Sequence, residues 1–115
     1  MTVPTELLAC PHCGGDLAAE GGVLRCAEGH AFDVARQGYV NLLPGDAHTG
    51  TADTPAMVAA REAFLAAGHY DELADAVARA AADALGDGPP VLVEIGTGTG
   101  FYLAAALQAR PRCTG

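Results

Sequence analysis

The apolar positions in the first part of the chain are sparse and nearly alternating. Phe32 and Val34 alternate with polar or small neighbours, which is typical of short strands. Gly21-Gly22 separates two short apolar arms, and a double glycine in that position indicates a β-hairpin turn. The apolar run of residues 39–43 predicts one or two further short strands that pack on the hairpin.

The second part of the chain has helical apolar spacing. Thr54 as N-cap, Pro55 in the first turn and Gly68 as a stop predict a first helix. Its expected apolar stripe consists of Met57, Ala60, Phe64 and Leu65. A second helix is predicted from about Asp71 to Leu85, where apolar residues recur every four positions.

A strand, a glycine-rich loop and a third helix are predicted next. The continuous apolar run Val91–Ile95 suits a parallel strand that is buried on both faces. A helix from about Gly100 to Ala109 follows the loop, and residues 111–115 look like the approach to another strand. These patterns predict an α/β chain with a β module at 1–45, a linker at 46–53 and the start of a second domain at 54–115.

Composition limits the possible partners and environment. The net charge is −8, and all six basic residues are arginines, which argues against general affinity for nucleic acid phosphates. The sequence contains neither an apolar stretch of membrane-spanning length nor a signal-peptide pattern. A cytoplasmic location is therefore expected, and cysteines stay reduced there, which favours metal or redox chemistry over disulfides.

Three cysteines and a histidine have the spacing of a zinc site. Cys10, Cys13, Cys26 and His30 form the pattern C-x2-C-x12-C-x3-H across the predicted hairpin. Structural zinc takes four tetrahedral nitrogen or sulfur ligands, commonly as two short chelating pairs. A redox CxxC pair and a chance arrangement are the alternatives. His12 competes with His30, which is preferred because pairs flanking a hairpin meet at its base. Cys113, far from the cluster, is expected to be a free thiol.

The glycine loop has the pattern acid-x-G-x-G-x-G. Its acid is Glu94, and its glycines are Gly96, Gly98 and Gly100. The dinucleotide fingerprint G-x-G-x-x-G would need glycine at Phe101, and a P-loop needs a lysine that the chain lacks. The pattern resembles the first motif of class I S-adenosylmethionine-dependent methyltransferases, although a plain strand-to-helix turn remains an alternative.

The chemistry of such a ligand suits these residue types. S-adenosylmethionine has a sulfonium and an ammonium group but no phosphate, so an acid at the end of a strand favours its cationic end. Glycines let the backbone pass close to the ligand, and a helix N-terminus can serve the carboxylate.

Nearly the whole chain, in order, resembles the RlmA-type 23S rRNA (guanine-N1)-methyltransferases, the RlmA/TlrB family, which includes a macrolide-resistance enzyme. The zinc pattern and three strings carry the resemblance: FDVARQGYVNLLPG, AREAFLAAGHY and VLVEIGTGTGFY. It implies an N-terminal zinc module that helps to recognise an rRNA hairpin and a Rossmann-like domain that transfers a methyl group from S-adenosylmethionine to N1 of a guanine.

The resemblance also assigns individual residues. Cys10, Cys13, Cys26 and His30 match the zinc ligands; Gly98, Thr99 and Tyr70 match positions that contact the cofactor. Thr99 stands where some relatives have an acid, so its polar contact is expected to differ. Relatives are much longer, so the chain is expected to be an inactive fragment whose catalytic residues lie elsewhere. A stand-alone zinc-ribbon module with a helical tail is the alternative function, and a homodimer, the target guanine and a housekeeping or resistance role are left open.

Overall fold

The computed structural model describes residues 3–48 and 50–110, and the chain divides into two compact units. One unit is Met1–Gly50 and the other is Thr51–Gly115, so the division falls inside the predicted linker 46–53. The expectations for Cys113 and for a strand approach at 111–115 lie outside the described residues. Each described helix is too short or too polar to cross a membrane.

The first unit is built on a three-stranded antiparallel sheet. Its strands are Ala18–Glu20 (β1), Val23–Arg25 (β2) and Ala31–Asp33 (β3), in the order β1-β2-β3. A short 3-10 helix, Thr5–Leu7, precedes them. The predicted hairpin turn is confirmed, because the chain reverses between β1 and β2 at two glycines with positive φ, 55° at Gly21 and 88° at Gly22.

The core of the first unit is small. Its buried members are Cys10, Leu17, Leu24, Cys26 and Phe32. Leu24 of β2 lies opposite Phe32 of β3 and is fully buried. Val34 and Val40, which form an isolated bridge after β3, pack against this core. The sequence analysis expects one or two further short strands beside the hairpin. The structure has one such strand, β3, and the isolated bridge between Val34 and Val40.

The second unit contains three helices close to the predicted positions. They are Pro55–Ala66 (α1), Asp71–Leu85 (α2) and Phe101–Ala109 (α3). The Thr54 hydroxyl accepts a hydrogen bond from the Met57 amide at 3.2 Å, which confirms the predicted N-cap. Gly68, which follows α1, has φ +91°, as expected where a helix stops at a glycine.

Helices α2 and α3 pack against each other, and their buried residues are all alanines. Ala74 and Ala78 of α2 and Ala106 of α3 are buried. The guanidinium of Arg110, just after α3, donates to the carbonyls of Ala82 at 3.2 Å and Gly86 at 2.6 Å. It thereby satisfies carbonyls at the C-terminal end of α2 that have no partner within the helix.

Two predictions for the second unit are wrong. Val91–Ile95 is not a strand buried on both faces: Val91 alone is in a β-bridge, no named strand covers the run, and Ile95 is 97% exposed. A parallel strand buried on both faces needs strands beside it and helices over it, and the described residues supply no adjacent strand. The predicted stripe on α1 is not a buried face, since this helix has no buried residue and Phe64 is half exposed.

Candidate metal centre and glycine-loop cleft

Two backbone turns at the base of the hairpin position the four predicted ligand side chains. In the first turn the Gly14 amide donates to the Cys10 carbonyl at 2.7 Å, and the Cys10 amide donates to the Gly15 carbonyl at 2.8 Å. Gly14 has φ +72°, a conformation that glycine adopts at little cost.

The second turn repeats this pattern. The Gly29 amide donates to the Cys26 carbonyl at 3.0 Å, and the Cys26 amide donates to the His30 carbonyl at 3.1 Å. Gly29 has φ +89°. Each chelating pair is therefore closed by its own backbone hydrogen bonds and by one glycine with positive φ.

The structure brings the four predicted side chains together. The ligand atoms of Cys10, Cys13, Cys26 and His30 all lie within 4.8 Å of one another. The Nδ1 atom of His30 is 3.5 Å from the Cys10 sulfur and 3.3 Å from the Cys26 sulfur. The sulfurs of Cys13 and Cys26 are 3.7 Å apart.

These separations fit a tetrahedral zinc ion. With zinc–sulfur bonds of about 2.3 Å and zinc–nitrogen bonds of about 2.0–2.1 Å, tetrahedral angles place two sulfurs about 3.8 Å apart and a sulfur about 3.5 Å from a nitrogen. The observed sulfur–sulfur distance is 3.7 Å, and the sulfur–nitrogen distances are 3.5 and 3.3 Å. These four side chains would complete the coordination of a zinc ion, which is the arrangement of a structural site.

The thiols of the cluster have unequal pKa values. Burial opposes ionisation of Cys10, but amides of Cys13 and His12 and the neighbouring thiols give it a lowered pKa. Cys26 also has a lowered pKa, because amide and side-chain hydrogen bonds, chiefly from His30, outweigh its burial. A hydrogen bond from the Gly15 amide acts to lower the pKa of Cys13. The hydrogen bond between Cys13 and Cys10 and the burial of Cys13 outweigh it, so the pKa of Cys13 is raised. Adjacent thiolates repel one another, and a bound dication would remove that repulsion.

His12 takes a different position from the four clustered residues. It is exposed, and its ring stacks on Phe32 with centroids 5.9 Å apart. Its centroid is 4.9 Å from that of His30, whose nitrogen points to the sulfurs. The cluster therefore contains His30, the histidine that the sequence analysis prefers.

The glycine loop has three left-handed residues in alternation. The φ angles are +70° at Gly96, +58° at Gly98 and +77° at Gly100. The Gly100 amide donates to the Thr97 carbonyl at 2.9 Å, and α3 begins at the next residue. A Cβ added at Gly96 or Gly98 would meet no protein atom within 4 Å, so the loop backbone faces open space.

That space is a cleft of about 490 Å³ within the second unit. Five of the six predicted cofactor residues line it: Tyr70, Glu94, Gly96, Gly98 and Thr99. Gly100 instead lines a neighbouring groove, which it shares with Thr99. The Tyr70 ring lies edge-on to Phe64 with centroids 5.8 Å apart and is 42% exposed. The lining combines glycine backbone, aromatic side chains and one acid, Glu94.

The sequence analysis missed two polar residues of the cleft. The Thr97 hydroxyl donates to a Glu94 carboxylate oxygen at 2.8 Å. Its position between two glycines of the motif could have indicated that Thr97 lines the cleft. Arg61 of α1 also lines the cleft and pairs with Asp53 at 2.6 Å. No local pattern indicates that an α1 side chain reaches the glycine loop.

Comparison with known proteins matches both parts of the chain. Residues 8–49 match the zinc-ribbon family described as RlmA, N-terminal. A Micromonospora griseorubida protein, described as a predicted 23S rRNA (guanine-N(1)-)-methyltransferase, is 52% identical over 94% of this chain and 42% of its own length. The 23S rRNA (guanine(748)-N(1))-methyltransferase of Streptomyces fradiae is 51% identical over 88% of this chain and 36% of its own length.

The chain spans about two-fifths of the length of these curated relatives. The predicted cysteines and histidine fall inside the matched zinc ribbon, and the alignments extend over most of the rest of the chain. Residues 8–49 are therefore similar to the RlmA N-terminal zinc ribbon, and the chain is similar in sequence to the N-terminal part of proteins named as 23S rRNA (guanine-N1)-methyltransferases.

Proposed function

We propose that this chain provides the zinc ribbon and part of the cofactor cleft for S-adenosylmethionine-dependent methylation of a guanine N1 in 23S rRNA. One observation carries the proposal: two left-handed glycines, Gly96 and Gly98, and Glu94 line a 490 Å³ cleft in a chain half identical to proteins named for this reaction. Bound S-adenosylmethionine would supply an electrophilic methyl group on its sulfonium. The residues of this chain would bind and orient that cofactor.

Glu94 and the glycines have distinct parts in this proposal. Glu94 would favour the cationic end of the cofactor, and its hydrogen bond to Thr97 holds the carboxylate in place. Gly96 and Gly98 would let the backbone approach the ligand, because no Cβ occupies the cleft there. Tyr70 would form a wall of the cleft, and Thr99 and Gly100 would border it where α3 begins.

Cys10, Cys13, Cys26 and His30 would hold a structural zinc ion. Four protein ligands leave no open coordination position, so the metal would stabilise the ribbon and take no part in chemistry. In this proposal the ribbon contacts an rRNA hairpin. The whole chain has a net charge of −8, which gives little general attraction to phosphate, so recognition by the ribbon would depend on the shape of the hairpin and on base stacking.

The chain by itself is expected to transfer no methyl group to deproteinised 23S rRNA. The described residues form no parallel sheet, and none of the residues assigned above would accept a proton from the target base. Radiolabelled methyl transfer tests this expectation, with the Streptomyces fradiae relative as positive control. Turnover by the isolated chain would contradict it.

Cofactor binding is testable on the isolated chain. Titrating 15N-labelled protein with S-adenosylmethionine should shift the amide signals of Gly96, Gly98 and Thr99 and leave those of β1–β3 in place. The affinity should be weak, in the millimolar range, because the cleft is open. NAD serves as the mismatched control and should cause no comparable shifts, since the loop departs from the dinucleotide pattern. Equal shifts with both ligands, or none with either, would contradict the proposal.

A further inference from the structure

The cleft beside the glycine loop has one charged side chain of each sign. Among the described residues that line it, Arg61 is the one base and Glu94 the one acid. The remaining lining residues are glycines, threonines, aromatic residues and a leucine. A cleft with this pair is complementary to a ligand that carries an ammonium and a carboxylate a few bonds apart.

In Arg61 and in Glu94, one terminal atom of the charged group is hydrogen-bonded within the protein, and a second terminal atom is available to a ligand. Arg61 donates from Nη1 to Asp53 at 2.6 Å, and Glu94 accepts at Oε2 from Thr97 at 2.8 Å. Among the described residues, the second terminal nitrogen of Arg61 and Oε1 of Glu94 have no side-chain partner. Holding one atom of each group reduces the conformational entropy that ligand binding would cost.

We propose that Arg61 binds the carboxylate, and Glu94 the ammonium, of the α-amino acid end of the ligand in this cleft. This inference rests on the proposed function, which makes that ligand S-adenosylmethionine, and it adds Arg61 as a specificity-determining residue. Arginine suits the role because its planar guanidinium donates several parallel hydrogen bonds and matches carboxylate geometry.

A purely structural role for Arg61 predicts different behaviour. The salt bridge to Asp53 connects α1 to the segment before it, and the Arg61 side chain is 48% exposed. If that salt bridge were its whole role, removing either partner would have the same effect on every ligand. A carboxylate-binding role instead requires an effect that depends on the ligand's carboxylate and on Arg61 alone.

The test compares S-adenosylmethionine with its decarboxylated analogue, which keeps the sulfonium, the amine and the adenosine. Dissociation constants for both are measured by NMR titration of the 115-residue chain, and the ratio between them is compared among variants. Arg61→Gln should lower the preference for the carboxylated ligand about fivefold, the effect expected for a partly exposed charge pair. Asp53→Asn should retain the wild-type preference, as should Arg79→Gln, which removes an exposed α2 charge outside the cleft.

Each other outcome overturns a distinct claim. Binding of both ligands with an unchanged ratio in Arg61→Gln would overturn the role of Arg61 and leave the proposed function standing. An equal loss in Asp53→Asn and Arg61→Gln would assign Arg61 to the salt bridge alone. Failure of the wild-type chain to bind either ligand would overturn the inference together with the cofactor part of the proposed function. Arg61→Lys should restore part of the preference, because it returns the charge without the planar geometry.

Discussion

Replacing Cys26 by serine is expected to remove the metal and unfold the first unit together. A serine hydroxyl does not ionise at neutral pH, so it cannot replace the thiolate that zinc requires. The apolar core around the site has only five buried members, two of which are themselves cysteines of the cluster. Binding of structural zinc contributes on the order of 10 kcal/mol to folding in comparable small modules, which exceeds what this core would supply alone.

Metal analysis and NMR dispersion measure this effect. The wild-type chain should contain one zinc per molecule, and Cys26→Ser should contain none and lose the dispersed signals of β1–β3. Two matched controls should keep the metal: Cys113→Ser, the one cysteine outside the pattern, and His12→Ala, which alters the histidine outside the cluster. A Cys26→Ser protein that remains folded with a full zinc content would contradict the assignment of Cys26 as a zinc ligand that the first unit needs to fold.

Replacing Gly98 by valine is expected to abolish cofactor binding and leave zinc content unchanged. Gly98 has φ +58°, which costs a non-glycine residue about 1–2 kcal/mol and a β-branched residue more. The valine side chain would also project into the open space of the cleft, because no protein atom lies within 4 Å of the added Cβ. Backbone strain and steric exclusion therefore act in the same direction.

Gly88→Val is the matched control for this loop. Gly88 also has open space around an added Cβ, but its φ is not in the left-handed region. This variant should bind S-adenosylmethionine like the wild type in the NMR titration. Tyr70→Ala should weaken binding without abolishing it, because it removes one wall of the cleft and leaves the glycine loop intact. If Gly98→Val binds S-adenosylmethionine with wild-type affinity, the glycine loop is only a strand-to-helix turn and does not bind the cofactor.

Features specified by neighbouring residues could be predicted from the sequence. The bounds of α2 match the prediction, and α1 begins after its predicted N-cap, because capping residues and glycine stops act within one helical turn. The clustering of Cys10, Cys13, Cys26 and His30 was equally predictable, since a two-residue glycine turn fixes the hairpin register and brings its ends together.

Features that depend on distant partners could not be predicted in this way. The apolar run Val91–Ile95 has the composition of a buried strand, but composition does not supply a neighbouring strand to pair with it. The contribution of Arg61 to the cleft depends on how α1 lies beside the glycine loop, which has no local sequence signal. Arg110 likewise reaches carbonyls 24 and 28 residues earlier in the chain.

A hybrid enzyme tests the central claim most directly. The Streptomyces fradiae relative is 51% identical over 102 aligned residues, and this chain can replace the matching segment. Methylation of guanine N1 blocks Watson–Crick pairing, so primer extension on 23S rRNA stops at a modified base. We predict a stop with the hybrid at the same guanine as with the unaltered relative, and no stop with the hybrid that carries Gly98→Val. A folded, zinc-loaded hybrid that leaves this guanine unmodified would contradict the account.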